Sequence, residues 1–219
     1  MISLCYQNVK LFFYYLTKQI RENSMERIQK SCGWHNQKDF MMKYHDEEWG
    51  VPCYEDRTHF EFLILESAQA GLSWETILKR RSGYKKAFAN FDPVKVAKYD
   101  KQKVEELLQN SGIIRNRLKI EAAINNAARF LEIQKEFGSF SNYIWSFNNG
   151  KPVINKFNSI KELPATSPLS DAVSKDLKNR GFKFVGSTII YAHLQATGLV
   201  NDHEMNCFRY NEVQKFYKE

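Results

Sequence analysis

Two thiols and two imidazoles stand near opposite ends of this chain: Cys32 and His45 in SCGWHNQKDFMMKYHDEEWG, His203 and Cys207 in LVNDHEMNC. Thiolates and neutral imidazoles are the donor set of a tetrahedral zinc site, which here would clamp the two ends of one domain together. The three residues between His203 and Cys207 predict both ligands on one side of a helical turn. Cys32 and His45 are spaced more loosely than the C-x-x-C pair of a finger. By spacing alone the four residues fit equally well two buried thiols beside ordinary polar histidines. Cys53 follows Pro52 with no second thiol nearby, and both it and Cys5 read as free cysteines.

Glu66 is the other residue placed to do chemistry. Four apolar residues, Phe62 to Leu65, precede it and a turn of small residues follows. A carboxylate so flanked lies either at the mouth of a pocket or on the polar face of an amphipathic helix, and periodicity admits both. Four tryptophans in a chain that is 14% aromatic either pack the core or line a pocket for a flat ligand.

The net charge of +7 suits a protein that touches a phosphate backbone locally. Basic residues cluster in LKRRSGYKK (Lys79, Arg80, Arg81, Lys85, Lys86), IIRNRLK (Arg115, Arg117, Lys119) and SKDLKNRGFKF (Lys175, Lys178, Arg180, Lys183). Each cluster alone reads as a solvated helix face; three of them beside turns or glycines predict a phosphate-binding face.

The elements that must position these residues are helical. Asp56 is the expected N-cap of a helix that ends at Gly71, and Ser73 caps a short helix through Arg80. Asp92-Pro93 opens another, Val104, Leu107 and Leu108 share one face of the next, and the 3.6-residue period continues from Arg115 to Phe137. Residues 148–168, broken by Pro152, Pro164 and Pro168, read as a surface loop; Ser167-Pro168 starts a helix that Gly181 ends, and a last long helix spans Gly186 to Ala196. Nothing alternates like a sheet. At Asn110-Ser111-Gly112 two helices meet in a tight turn, where a glycine permits a left-handed backbone and the following amides are placed to face a phosphate.

With 219 residues and 43% apolar content the chain can bury a sizeable core without disulfides, and four cysteines without an export signal predict a reducing compartment, hence a cytoplasmic, nucleoid-associated protein. Residues 1–24 form an N-terminal extension whose run LFFYYL is too short to span a bilayer, so no membrane association is expected. Met25 is a candidate internal start, and residues 25–219 are read as a single zinc-containing domain, a monomer in solution.

The strings SCGW, YHDEEWGVP, LESAQAGLSWETILKRR, FDPVKVA, SGIIRNRLKI and RGFKFVGSTIIYAHLQATGLVNDH, with the closing cysteine, resemble the DNA-3-methyladenine glycosylase I family of the helix-hairpin-helix superfamily, in order from about Met25 to Cys207. The resemblance implies an all-α helix-hairpin-helix glycosylase fold whose termini are joined by structural Zn2+ on Cys32, His45, His203 and Cys207. It implies that Glu66 and Tyr44 hydrogen-bond the damaged base, that Trp74 stacks on it, and that Trp34 and Trp49 are further aromatic pocket residues. Ala70, Gly71 and Leu72 would insert into double-stranded DNA carrying 3-methyladenine, while the hairpin around Ser111, Gly112, Arg115 and Arg117 holds the backbone.

The chemistry implied is release of the base without strand cleavage. An adenine alkylated at N3 is a cation and leaves neutral, so the enzyme must mainly extract the base and select it. The string IIRNRLKIEAAINNAARF carries no aspartate to stabilise an oxocarbenium-like sugar, which fits labile, cationic lesions. Two rivals stand beside this reading. A zinc deaminase, prompted by His45-Asp46-Glu47 and Pro52-Cys53, lacks the second cysteine, and four protein ligands would leave no open metal position. A catalytically silent binder of alkylated DNA with the same fold would require a broken pocket.

Overall fold

The computed structural model describes residues 31–217; the extension at 1–24 with its Cys5, and Met25, lie outside them. The described residues form helices α1 (Asp39–Glu47), α2 (Asp56–Gln69), α3 (Trp74–Leu78), α4 (Arg81–Ala87), α5 (Pro93–Val96), α6 (Lys101–Gln109), α7 (Arg117–Phe137), α8 (Phe140–Ser146), α9 (Pro168–Asn179), α10 (Ser187–Ala196) and α11 (Phe208–Glu212). Short polar side chains start many of them. Ser73 accepts from Thr76 N, Asp92 from Val94 N, Asp100 from Lys103 N and Asn116 from Lys119 N, each satisfying an amide the helix cannot. Ser167 and Ser170 close a reciprocal capping box at α9.

Helix α2 is the centre of the molecule. From His59 to Ala68 every residue except Glu61 is buried, Phe60, Phe62, Leu63, Ile64, Leu65 and Ala68 among them, so periodicity finds no broad solvent face to read there. It packs against α7, α8 and α10. Phe60 lies 5.2 Å from Phe130, which stacks on Phe140 at 4.3 Å. His59 and His193 join α2 to α10 through a 3.3 Å contact between Nδ1 and Nε2; burial pushes His59 down to about 4, so the pair is neutral.

Three expectations are corrected here. Asp56 does not cap its own helix, whose N-cap is Glu55; its carboxylate accepts from the amides of Phe140 and Ser141 at 2.8 Å and from Gln134 Nε2 at 2.6 Å, so it caps α8 across the core. Gly112 is not left-handed. The close contact there constrains Gly83 of α4 instead: a Cβ on Gly83 would stand 2.1 Å from Gly112 O. The chain also contains a minimal parallel ladder, Val153–Ile154 (β1) with Val200–Asn201 (β2), too short to show alternation in sequence. It fastens the 148–168 segment to the strand that leads into His203, and Met205 N adds a 2.8 Å bond to Phe157 O.

Gly83→Ala should therefore lower stability by about 1–3 kcal/mol, because two backbones must move apart to admit one methyl. Urea unfolding at neutral pH measures this, and an unchanged midpoint would show that α4 and the hairpin are not held in contact.

Candidate functional site

Cys32, His45, His203 and Cys207 converge, as expected from their types, and are all buried, with one ligand atom from each lying within 4.8 Å of the others. His203 Nδ1 stands 3.6 Å from both Cys32 Sγ and Cys207 Sγ, and His45 Nε2 is 3.6 Å from Cys207 Sγ. The outward nitrogens are spoken for: His203 Nε2 donates to Trp49 O at 3.0 Å and His45 Nδ1 to Asp46 Oδ1 at 2.8 Å. Such outer bonds fix which nitrogen faces a metal. Contact between the sulfurs pushes Cys32 up and Cys207 down, because two thiols this close retain one proton unless a cation neutralises a second charge. The local backbone differs from the expected helical turn. His203 to Cys207 is a turn closed by Cys207 N to Glu204 O at 2.8 Å, and Cys207 then precedes α11.

Beside this cluster lies a cavity of about 200 Å³. Tyr44, Trp34, Trp49, Trp74 and Glu66 all line it, so the five residues singled out in the sequence are brought together. Trp34 meets Trp49 edge-on at 5.1 Å, and Tyr44 lies 5.3 Å from Trp74. Two indole N–H groups, of Trp34 and Trp74, are buried without an acceptor among the described residues. Trp49 also faces the metal cluster, its ring 4.6 Å from His203.

Glu66 is only 4% exposed and has no hydrogen-bond partner among the described residues. Burial alone pushes its carboxyl up to about 8, and this same burial, followed by the Glu66 charge, raises the Tyr44 hydroxyl. The solvated-face alternative for Glu66 is thereby excluded.

A second cavity of about 180 Å³ shares Glu66 and Gln69 with the first and opens onto Ala70, Gly71 and Leu72. Gly71 is left-handed at φ +76°, which turns the chain out of α2, and Leu72 is 40% exposed at the tip. Lys119 Nζ donates to the carbonyls of Ala68 and Ala70 at 2.8 and 2.7 Å, capping α2 and tying the turn to α7. Lys119 is thus an internal support. Arg81 likewise pairs with Glu48 and Glu61 beneath the pocket, and Arg117 pairs with Glu105 and Glu121 at the surface. Arg180 is held by Asp176 and Glu136. Ser111 and Arg115 are exposed in the hairpin, Arg115 without an ion pair among the described residues, as are Lys85, Lys86, Lys175, Lys178 and Lys183.

Five lining residues escape the sequence reading: Gln69, Ala192, Gln195, Ile160 and Leu163. Gln69 follows Glu66 by three, and Gln195 follows Ala192 by three, so helical spacing marks each pair as sharing a face. Ile160 and Leu163 arrive from the 148–168 segment, which the turn chemistry made look like a plain surface loop; no local signal places it over a pocket.

Residues 34–210 match the Methyladenine glycosylase family. The chain is 48% identical over 179 residues to DNA-3-methyladenine glycosylase 1 of Escherichia coli (strain K12), covering 82% of this chain and 96% of that protein. A crystal structure of a 3-methyladenine DNA glycosylase I superposes with a TM-score of 0.79 at 49% identity, over 81% of this chain and 98% of that one. The Staphylococcus aureus 3-methyladenine DNA glycosylase I, solved to explain its recognition of 3-methyladenine, gives a TM-score of 0.79 at 37% identity over 82% and 95% of the two chains.

The buried carboxyl has a consequence for stability. Its folded pKa lies above its unfolded one, so its stabilising proton is fully bound below the ordinary carboxylate range and is lost as pH rises toward about 8. Urea unfolding from pH 5 to pH 9 should show a downward slope of up to about 1.4 kcal/mol per pH unit, which Glu66→Gln removes. A Gln variant that keeps the slope would place the titration elsewhere.

Proposed function

This chain belongs to the methyladenine glycosylase family, and on that premise we propose how its residues act as it hydrolyses the N-glycosidic bond of 3-methyladenine in alkylated duplex DNA and leaves an abasic site. The observation that carries the proposal is a carboxyl with no partner among the described residues, buried in an aromatic pocket next to an exposed turn. Leu72 with Ala70 and Gly71 fills the stack as the nucleotide leaves, and the base enters between the tryptophans. Extraction of a base costs a few kcal/mol, and stacking with a cation-π contribution of roughly 0.5–2 kcal/mol on Trp74 helps offset it.

Selectivity follows from the desolvated carboxyl. With its pKa raised to about 8, Glu66 is mostly neutral at pH 7 in the empty pocket. A cationic lesion compensates the carboxylate charge and donates to it from its exocyclic amine; neutral adenine offers no such charge. Tyr44 borders the same cavity and supplies a hydroxyl to the base edge. Because the lesion departs neutral, bond cleavage needs little protonation. Among the described residues no lysine lines the cavity, which supports hydrolysis without a Schiff base.

For the metal, the donor set and its spacing support zinc. Bonds of about 2.3 Å to sulfur and 2.0 Å to nitrogen at tetrahedral angles put neighbouring sulfur and nitrogen atoms about 3.5 Å apart, against 3.6 Å for the three pairs here. Four protein ligands fill the shell, so the role of zinc is to hold Cys32 and His45 against His203 and Cys207.

Purified protein should release free 3-methyladenine from methylated duplex DNA without nicking it, and Glu66→Ala should reduce that release while leaving metal content and helicity unchanged. Binding of alkylated DNA with no base liberated would favour a silent binder. One zinc per chain is expected by metal analysis, and Cys207→Ala should lose it with a fall in melting temperature that precedes any loss of activity at low temperature; a variant inactive with zinc and melting unchanged would reverse that order. The logarithm of DNA affinity should fall with the logarithm of salt concentration by about 0.9 for each phosphate contacted, and a flat response would remove the basic face from the interface.

A further inference from the structure

Gln195 is the one amide side chain from α10 in the base cavity, and its orientation is dictated from behind. Its Nε2 donates to Asp202 Oδ2 at 2.6 Å. Asp202 is itself buried and immobilised, accepting from Tyr191 OH at 2.5 Å on the same oxygen and from Asn155 Nδ2 at 2.7 Å on the other. A carboxylate accepts only, so the Gln195 amide cannot flip without breaking that bond. The Gln195 backbone is fixed as well, since its carbonyl receives Gly50 N at 3.1 Å and Gly198 N at 3.2 Å. Gln195 Oε1 is thereby the atom left without a partner among the described residues, in a side chain that lines the cavity.

We propose that Gln195 is a specificity-determining residue that accepts one N–H of the lesion's exocyclic amine through Oε1, and that Asp202 is the positioning residue that keeps this acceptor facing the base. The inference rests on the function given above. A 6-amino purine carries two N–H donors at one position, one for Glu66 and one for Gln195. A 6-oxo purine carries an acceptor there, so Oε1 would meet another oxygen, and a buried pair of unmatched acceptors is penalised strongly. The cavity therefore reads amino against oxo at two points, one charged and one neutral. Glu66 answers to the positive charge of any N3-alkylated purine; Gln195 is neutral and answers to hydrogen-bond polarity alone.

The test uses duplex DNA treated with a methylating agent, which carries 3-methyladenine and 3-methylguanine together, so that release of both bases is measured in one reaction. For Gln195→Met, similar in size and without the acceptor, release of 3-methyladenine relative to 3-methylguanine should fall on the order of tenfold, the factor expected for one hydrogen bond. Gln195→Met also takes one donor from the buried Asp202, so its melting temperature should fall modestly, a change that lowers release of both bases alike and leaves their ratio unmoved. Asp202→Asn gives the second arm. An amide at 202 can donate to Gln195 Oε1 and allow the side chain to turn its NH2 toward the base, so the ratio should shift in the same direction with Gln195 intact. An unchanged ratio in Gln195→Met, or an equal fall for both bases, would overturn the assignment. A wild-type protein that releases neither base would instead overturn the underlying function.

Discussion

The hydrogen bond from His203 Nε2 to the carbonyl of Trp49 is the joint on which the site is built. It sets which His203 nitrogen faces the two sulfurs, and it pins the chain just after α1 against the chain just after β2. Tyr44 and His45 are neighbours on α1, one turned to the base cavity and the other to the metal cluster. Trp49 lines the cavity while packing on His203. The Cys/His cluster and the cavity, separate in sequence, thus share a wall.

The buried Glu66 is tolerated because of the helix that carries it. A carboxylate taken from water without a partner is expensive, and the buried run of α2 around it, with Phe60, Phe62, Leu63, Ile64, Leu65 and Ala68, offsets this. The consequence is a group whose charge state depends on what enters the cavity. Desolvation raises the carboxyl into the neutral range, so charge in the ligand decides whether the carboxylate forms. A solvated glutamate would be charged always and would discriminate far less.

Cations in this chain divide by environment. Arg81, Lys119 and Arg180 are consumed by carboxylates or helix carbonyls, and they hold α4, the wedge turn and α9 in place. Arg117 is paired at the surface, where such a pair contributes little and can open to a phosphate. Arg115 and the exposed Lys85, Lys86, Lys175, Lys178 and Lys183, which have no ion pair among the described residues, are the charges left to meet DNA. Composition counts all of these alike, and only position separates support from interface.

The residue types and strings of this sequence determined its helical character, most helix starts, the four residues of the Cys/His cluster and five of the residues that line the cavity, because caps, glycines and long motifs are local signals. The periodicity of α2 could not report that Glu66 is buried, since between His59 and Ala68 only Glu61 reaches solvent and leaves no polar stripe to read. Asp56 looked like the cap of its own helix, but a carboxylate at a helix start caps whichever amides the fold brings to it. Gly112 looked like a left-handed turn glycine, but its backbone is not left-handed, and its carbonyl instead excludes a side chain from Gly83, far away in sequence. The loop bearing Ile160 and Leu163 and the Asp202–Gln195 pair are set by contacts between distant segments. Such contacts have no spacing rule, and tertiary packing alone decides them.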